Sequence, residues 1–172
     1  EMCIRDRTIT GAGVYDQITD GTTFSANGGN ITFGGVGGTL NLVAETPDLG
    51  TFEDGSGLVD YKRAGTQNIF DPSNPYFNLK ISGISGTKTA AAALDIDGDV
   101  TLSQACTFVP GNVTHDVAGS WLEDGTATFN PGNGTFNLSG NGTDITTIAG
   151  SNFFNLTIGS GTKTAQSNLD IN

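Results

Sequence analysis

The feature that most constrains the fold is an internal repeat, in which short segments recur at a nearly fixed spacing. Residues 77–81 (FNLKI) return 77 positions later as residues 154–158 (FNLTI). Residues 86–90 (GTKTA) return 75 positions later as residues 161–165 (GTKTA). Self-similarity at a fixed period is typical of repeat architectures, in which each unit buries its apolar residues against its neighbours.

The repeat divides the chain into four predicted segments. Residues 51–127 form repeat one, residues 128–172 form a second, truncated copy, and residues 8–50 form a diverged β repeat or leading coils. Residues 1–7 (EMCIRDR) resemble nothing downstream and read like a translated sequencing adapter, so we expect them to be a non-native tail on a metagenomic fragment. Because the second copy stops before an equivalent of residues 99–102, we expect the natural protein to continue beyond this sequence.

Within the repeat, apolar and polar residues alternate with a period of two. In residues 94–102 (LDIDGDVTL), the apolar side chains share one parity, and the aspartates and threonine share the other. This alternation predicts strands with one buried face. Gly-Asn, Asn-Gly, Asp-Gly and Gly-Gly pairs separate such strands and indicate tight turns.

Two all-β architectures fit this pattern. We predict a right-handed parallel β-helix, a β-solenoid of short strands in which each 75–77-residue unit holds three coils of about 25 residues. Tandem β-sandwich repeats are the alternative, in which each unit is a small two-sheet domain. The solenoid is favoured because the strands are very short, the turns are rich in glycine and asparagine, and a Cys–Trp–Cys core pattern is missing.

Composition and charge narrow the functional classes. Glycine, threonine, asparagine, aspartate and serine make up just over half of the 172 residues, and the net charge is −11. An acidic surface argues against nucleic acid and anionic membranes as partners, because both need a basic face. No apolar run approaches the ~20 residues of a membrane-spanning helix, so we also expect no membrane insertion.

Few residues could carry chemistry. His115 is the sole histidine, and Asp116 would point away from it on a strand, so we expect a solvent-exposed histidine rather than a catalytic one. Cys106 alternates with Phe108 and is predicted to be a buried small hydrophobe. The sequence therefore predicts a protein that is not an enzyme and that uses no cofactor, and one acidic segment is the only candidate site for a Ca²⁺ ion.

That acidic segment contains Asp95, Asp97 and Asp99. Three carboxylates at alternate positions share one face of a strand and could offer oxygen ligands to Ca²⁺. The EF-hand pattern fails because Val100 stands where that loop needs a glycine. A solvated outer face that discourages edge pairing is the competing interpretation, and we favour it.

Paired carboxylates could also serve a carbohydrate-active enzyme or a glycan-binding module on a β-helix scaffold. Such a site needs aromatic rings that stack on sugars, and the candidates are Tyr61, Tyr76 and Trp121. Tyr76 aligns with Phe153 of the second copy, which favours a packing role for its ring.

Together, FNLTIGSGTKTA (154–165), LDIDGDVTL (94–102) and FNPGNGTF (129–136) resemble the repeat regions of large secreted bacterial adhesin-like and filamentous-haemagglutinin-like surface proteins. The resemblance covers residues 51–172 and carries over no catalytic residue. It implies a non-enzymatic, extracellular structural or adhesin-like segment of a larger secreted or cell-surface protein. The implied partners are surface glycans, host or neighbour cell surfaces, and neighbouring repeats of the same chain.

Overall fold

In a computed structural model of the protein, the chain folds into short strands. The structure describes residues 2–3, 7–10, 14–16, 23–25, 29–34, 37–53 and 55–171, so residues 1 and 4–6 of the predicted tail lie outside the described residues. In chain order the strands are β1 (Met2–Cys3), β2 (Arg7–Thr10), β3 (Val14–Asp16), β4 (Thr23–Ser25), β5 (Asn30–Gly34), β6 (Thr39–Leu42), β7 (Thr46–Asp48), β8 (Thr51–Glu53), β9 (Leu58–Tyr61), β10 (Gln67–Ile69), β11 (Asn78–Ile81), β12 (Thr87–Ala90), β13 (Asp95–Ile96), β14 (Val100–Leu102), β15 (Thr107–Val109), β16 (Thr114–Val117), β17 (Trp121–Glu123), β18 (Thr128–Phe129), β19 (Thr135–Leu138), β20 (Thr143–Thr146), β21 (Asn152–Phe153), β22 (Asn155–Ile158), β23 (Lys163–Ala165) and β24 (Asp170–Ile171).

These strands wind into a right-handed parallel β-helix of about seven turns with three faces. Face A is a single eight-stranded sheet, β3-β6-β9-β11-β14-β17-β20-β23. Face B comprises the sheets β1-β4-β7, β10-β12-β15-β18 and β21-β24. Face C comprises β2-β5-β8 and β13-β16-β19-β22, and Tyr76, which bridges to Ile96, fills the coil between those two sheets.

Every strand pairing among the described residues is parallel, so the solenoid prediction is confirmed and the sandwich alternative is wrong. Partners in register lie one coil apart in sequence. On face A, Leu79 pairs with Val100, and Val100 pairs in turn with Trp121. The coils differ in length, because the turns between the strands differ in length from one coil to the next.

The sequence repeat does not span a whole number of coils. FNLKI contributes β11 on face A, whereas its copy FNLTI contributes β22 on face C. GTKTA contributes β12 on face B, whereas its copy contributes β23 on face A. One unit therefore spans three and two-thirds coils rather than the three longer coils expected, because most coils are shorter than predicted.

The alternating apolar residues fill a thin core between the three faces. Along face A, each inward residue stacks on the corresponding residue of the previous coil. Part of the core is an aromatic cluster with ring centroids 4.8–5.7 Å apart, formed by Trp121, Phe129, Phe136 and Phe153. Burying each ring stabilises the fold by about 1.5–3 kcal/mol.

Side-chain oxygens and glycines shape the corners between faces C and A. Asn78 Oδ1 accepts the N–H of Asp99 at 2.9 Å, and Asp99 Oδ1 accepts the N–H of Ser120 at 2.7 Å. At the same corner, a Cβ on Gly140 would lie 1.5 Å from the carbonyl oxygen of Ala118 in the previous coil. Glycine is required there because neighbouring coils approach through their backbones.

Candidate functional site

The acidic segment lies on face C and at the corner that follows it. Asp95 is in β13, opposite Asp116 of β16, and the side chains of Asp95, Asp97 and Asp99 are all exposed. Partial burial raises the pKa of the Asp95 carboxyl, and the neighbouring charges of Asp97 and Asp116 raise it further. A row of like charges on one face is therefore the main electrostatic feature of this segment.

Asp99 has a different role from Asp95 and Asp97, because its carboxylate holds the corner. It accepts the N–H of Ser120 in the next coil. Among residues 55–171 and the shorter described segments before them, no three His, Cys, Asp or Glu side chains form a group that could hold a metal ion. The calcium site at Asp95, Asp97 and Asp99 stays a prediction.

His115 lies inside the solenoid, so the prediction of an exposed histidine was wrong. Its side chain is 0% exposed, and its ring stacks on Phe136 with centroids 4.8 Å apart. The prediction relied on the polarity of histidine. In β16, however, His115 has the same parity as Val117, and both side chains point inward. Asp116 points away from His115, as predicted, but on the outer side of the strand, where it accepts an N–H of Asn137 at 2.6 Å.

The buried imidazole of His115 has a defined hydrogen-bonding state. Its Nδ1 accepts the backbone N–H of Leu94 at 3.1 Å, so the proton of the neutral ring is assigned to Nε2. Nε2 is buried without a hydrogen-bond partner. Burial lowers the pKa of His115, and the nearby Pro110 carbonyl and Asp116 oppose this effect only in part. The ring is therefore a neutral packing group that is anchored to the backbone.

Cys106 is a free and buried cysteine, as predicted. Its Sγ donates to the Ser103 carbonyl at 3.4 Å. Burial raises the pKa of the Cys106 thiol, and the charge of Lys88 opposes this only in part. Because the thiolate is the nucleophilic form, this environment favours packing over reactivity.

The three aromatic candidates for sugar stacking all point into the core. Tyr61, Tyr76 and Trp121 are each 0% exposed. The two tyrosines and Phe70 form a closed set of hydrogen bonds, with 2.7 Å between the hydroxyl oxygens and 2.7 Å from Tyr76 to the Phe70 carbonyl. Burial raises the pKa of both tyrosines. None of these rings can stack on a sugar at the surface.

One buried lysine was not predicted from the sequence. Lys88 on β12 is fully buried, and its Nζ donates to the carbonyl oxygens of Arg63 at 2.6 Å, Gly65 at 2.7 Å and Ser85 at 3.4 Å. Burial lowers the pKa of Lys88. Strand parity could have predicted this burial, because Lys88 lies two residues from Ala90, which points inward in the same strand.

Two buried carboxylates were also not predicted from the sequence. Both accept hydrogen bonds from other residues of the solenoid. Glu123 accepts the indole N–H of Trp121 at 2.9 Å and a backbone N–H of the next coil at 3.2 Å. Asp60 accepts the hydroxyl of Ser82 at 2.5 Å and lies 3.9 Å from Nζ of Lys80. Burial raises the pKa of Asp60, and the Ser82 and Lys80 contacts oppose this effect.

A cavity of about 340 Å³ opens at the corner between β20 and β21, lined by residues 147–150, Ser167, Asn168 and Asp170. Thr147 and Ser167 share a hydrogen bond of 3.0 Å across it. The lining contains a single carboxylate and no second titratable group. Paired acid–base chemistry and metal ligation both need more than one such group, so this cavity assembles neither.

The described residues form no helix with the length and apolar character needed to cross a membrane. Comparison of the chain with protein-family models, curated proteins and solved structures found no match. The function is therefore inferred from the fold, from the positions of its few reactive side chains and from its outer surface.

Proposed function

We propose that this chain is a non-enzymatic, extracellular structural or adhesin-like segment of a larger secreted or cell-surface protein. The observation that carries the proposal is the use of the scarce reactive residues as packing. His115, Cys106 and Trp121 are all buried in one continuous stack of coils. The surface positions are left mainly to threonine, asparagine, serine and aspartate, which suit a solvated shaft.

The mechanical part of this function follows from the stack. Each coil bonds to the next along three faces, so the segment resists bending and its stability sums over neighbouring coils. Neighbouring strands lie about 4.8 Å apart, so about seven turns extend roughly 34 Å along the axis. Such a segment would hold a binding tip away from a cell, with neighbouring repeats of the same chain as its structural partners.

The adhesive part of the proposal draws on the outer surface of face B. Thr87, Thr107 and Thr128 stand in register there and present a row of hydroxyl groups. Hydroxyl rows can exchange hydrogen bonds with sugar hydroxyls. Surface glycans, and the host or neighbour cells that carry them, are the partners we propose.

Localisation is tested with antibodies raised against the 172-residue chain and applied to the organism that encodes it. We expect labelling of intact, unpermeabilised cells or of the culture medium. Labelling that requires permeabilisation would contradict the extracellular proposal. The full-length gene provides a second test, since further copies and a secretion signal are expected.

Catalysis is tested by a polysaccharide cleavage screen with the same chain. We expect no turnover, because the aromatic rings that a sugar site would need are buried. Turnover that is lost in both Asp95→Asn and Asp97→Asn, but retained in Asp124→Asn as the control, would instead establish a carbohydrate-active module.

A further inference from the structure

Face C is interrupted in one coil, between β10 and β11. The sheets β2-β5-β8 and β13-β16-β19-β22 end on either side of that coil, and Tyr76 bridges to Ile96 within it. The chain crosses this place as residues 70–76 (FDPSNPY), which hold two of the five prolines. These prolines account for the interruption, because proline lacks the N–H that a strand ladder needs.

The residue that enters this segment is fixed by the buried tyrosine pair. The N–H of Phe70 donates to the Tyr61 hydroxyl at 3.1 Å, and the Phe70 carbonyl accepts the Tyr76 hydroxyl at 2.7 Å. Both tyrosines are 0% exposed. The chain therefore leaves the core at a fixed point, one residue before Asp71.

Two peptide bonds to proline follow, Asp71–Pro72 and Asn74–Pro75. Aspartate and asparagine can each close a five-membered ring by attacking their own main-chain carbonyl carbon, which breaks the bond to the next residue. The Asn74 side-chain amide is held, because it donates to the carbonyl of Phe52 at 2.7 Å. Asp71 is exposed, and no described residue donates a hydrogen bond to its carboxylate. Of the two side chains, the Asp71 carboxylate is therefore the one that is free to attack.

The residue that follows Asp71 favours cleavage over rearrangement. In most sequences, the backbone N–H after an aspartate can attack the side-chain carboxyl, which keeps the chain intact. Pro72 has no N–H, so that route is closed. Its nitrogen belongs to a tertiary amide and accepts a proton on leaving more readily than an ordinary peptide nitrogen does. Asp71–Pro72 is the sole Asp-Pro bond of the chain.

We propose that the Asp71–Pro72 bond is a site of self-cleavage in mild acid. A carboxylate oxygen of Asp71 attacks the Asp71 carbonyl carbon, the C–N bond to Pro72 breaks, and the departing nitrogen takes a proton from solvent acid. The new C-terminus is then a cyclic anhydride, which one water molecule opens to two carboxylic acids. The net reaction is the hydrolysis of one peptide bond, and water is its only co-reactant.

The surroundings of Asp71 do not supply the proton. Among the described residues, Tyr76 is the ionisable side chain that interacts with Asp71. Burial raises the pKa of Tyr76 well above its usual value, so its hydroxyl is neutral in both acid and neutral solution. The acid dependence of the cleavage therefore arises at the scissile bond itself.

The cut leaves the solenoid assembled, because whole strands pair across it. Strands β9 and β10 lie in fragment 1–71, and β11 and β12 lie in fragment 72–172. β9 pairs with β11 over four residues and β10 with β12 over three, all in parallel. The hydrogen bond of 2.7 Å between Tyr61 and Tyr76 also joins the two fragments. This inference goes beyond the proposed function and does not rest on it.

The test incubates the chain at pH 4 and at pH 7 and follows it by denaturing electrophoresis and intact-mass measurement. We expect fragments 1–71 and 72–172, and a cleavage rate about a hundredfold higher at pH 4, because a proton must reach the departing nitrogen. After return to pH 7, the cleaved protein should elute from a sizing column with the uncut chain of 17.6 kDa. The fragments should separate only in denaturant.

Variants of the two residues at the bond separate the proposed reaction from other cleavage. Asp71→Ala removes the attacking carboxylate and should leave the chain intact at pH 4, whereas Pro72→Ala restores a backbone N–H and should lower the cleavage rate. Asp124→Ala is the matched control, because Asp124 is also exposed, and it should be cut at the parent's rate. A parent that stays intact at pH 4, a cut at another bond, cleavage of Asp71→Ala at the parent's rate, or fragments that separate at pH 7 without denaturant would each overturn the inference.

Discussion

At the scale of single residues, strand parity decides burial more strongly than chemical type does. Lys88 and His115 sit at inward positions of β12 and β16, and both are fully buried. Each is made acceptable by backbone groups, because Lys88 donates to carbonyls and His115 accepts an N–H. A buried polar group with such partners costs far less than one without them.

Acid should destabilise the fold through His115. Burial lowers its pKa below the usual 6.5, so below that pH the unfolded state binds a proton that the folded state does not. The free energy of unfolding that the neutral His115 ring contributes is therefore complete above pH 6.5. It decreases as the pH falls from 6.5 toward the pKa of His115 in the folded state. Urea unfolding at pH 7 and pH 5 measures this loss.

The variant His115→Phe isolates that effect. At pH 7 it should lose about 1–3 kcal/mol, since the N–H of Leu94 loses its acceptor. Between pH 7 and pH 5 it should lose less stability than the parent does. The comparison is needed because Asp60 and Asp95 have raised pKa values and act in the opposite direction on acidification. Equal pH dependence in parent and variant would refute this role of His115.

The two copies of GTKTA provide a matched test of the buried lysine. Lys88→Met should lower the free energy of unfolding by about 1–3 kcal/mol, because the carbonyl oxygens of Arg63, Gly65 and Ser85 lose the donor that Lys88 supplies. Lys163→Met should cost less than about 1 kcal/mol, because Lys163 is only partly buried at the equivalent position. The denaturant midpoints of the two variants measure these losses. Equal losses in free energy of unfolding would contradict the conclusion that Lys88 and Lys163 lie in different environments.

At the scale of strands and turns, the sequence predicted the type of element but not its place in the coil. Alternation in residues 94–102 became β13 and β14, with apolar side chains inward as expected. The repeat suggested whole coils, yet its copies lie on different faces. The three faces are similar, and a strand on any of them needs only apolar residues at its inward positions. The same alternating segment can therefore form a strand on any of the three faces. The register in which strands pair depends on the lengths of the coils, and the turns set those lengths. Turn lengths could not be predicted from this sequence alone.

The corner residues give a prediction that also bears on calcium. Without calcium, Asp99→Ala should cost about 1 kcal/mol, because the Ser120 N–H loses its acceptor. Asp97→Ala should change stability by less than about 0.5 kcal/mol, since its side chain is exposed. Thermal unfolding measures both. A melting temperature that rises with calcium in the parent, and not in Asp97→Ala, would support a calcium site at Asp95, Asp97 and Asp99.

At the scale of the whole molecule, the solenoid is a line of neighbour contacts rather than one compact core. The coils around Trp121 are bonded on both sides and share the aromatic cluster. The last coil is bonded on one side and exposes Ile158 and Ile171. Stability in such a stack is expected to fall from the middle toward a free end.

Hydrogen exchange followed by mass spectrometry measures that gradient. Amides of β22, β23 and β24 should exchange before those of β14, β17 and β19, which lie in the middle of the stack. Uniform protection along the chain would contradict the neighbour-contact description.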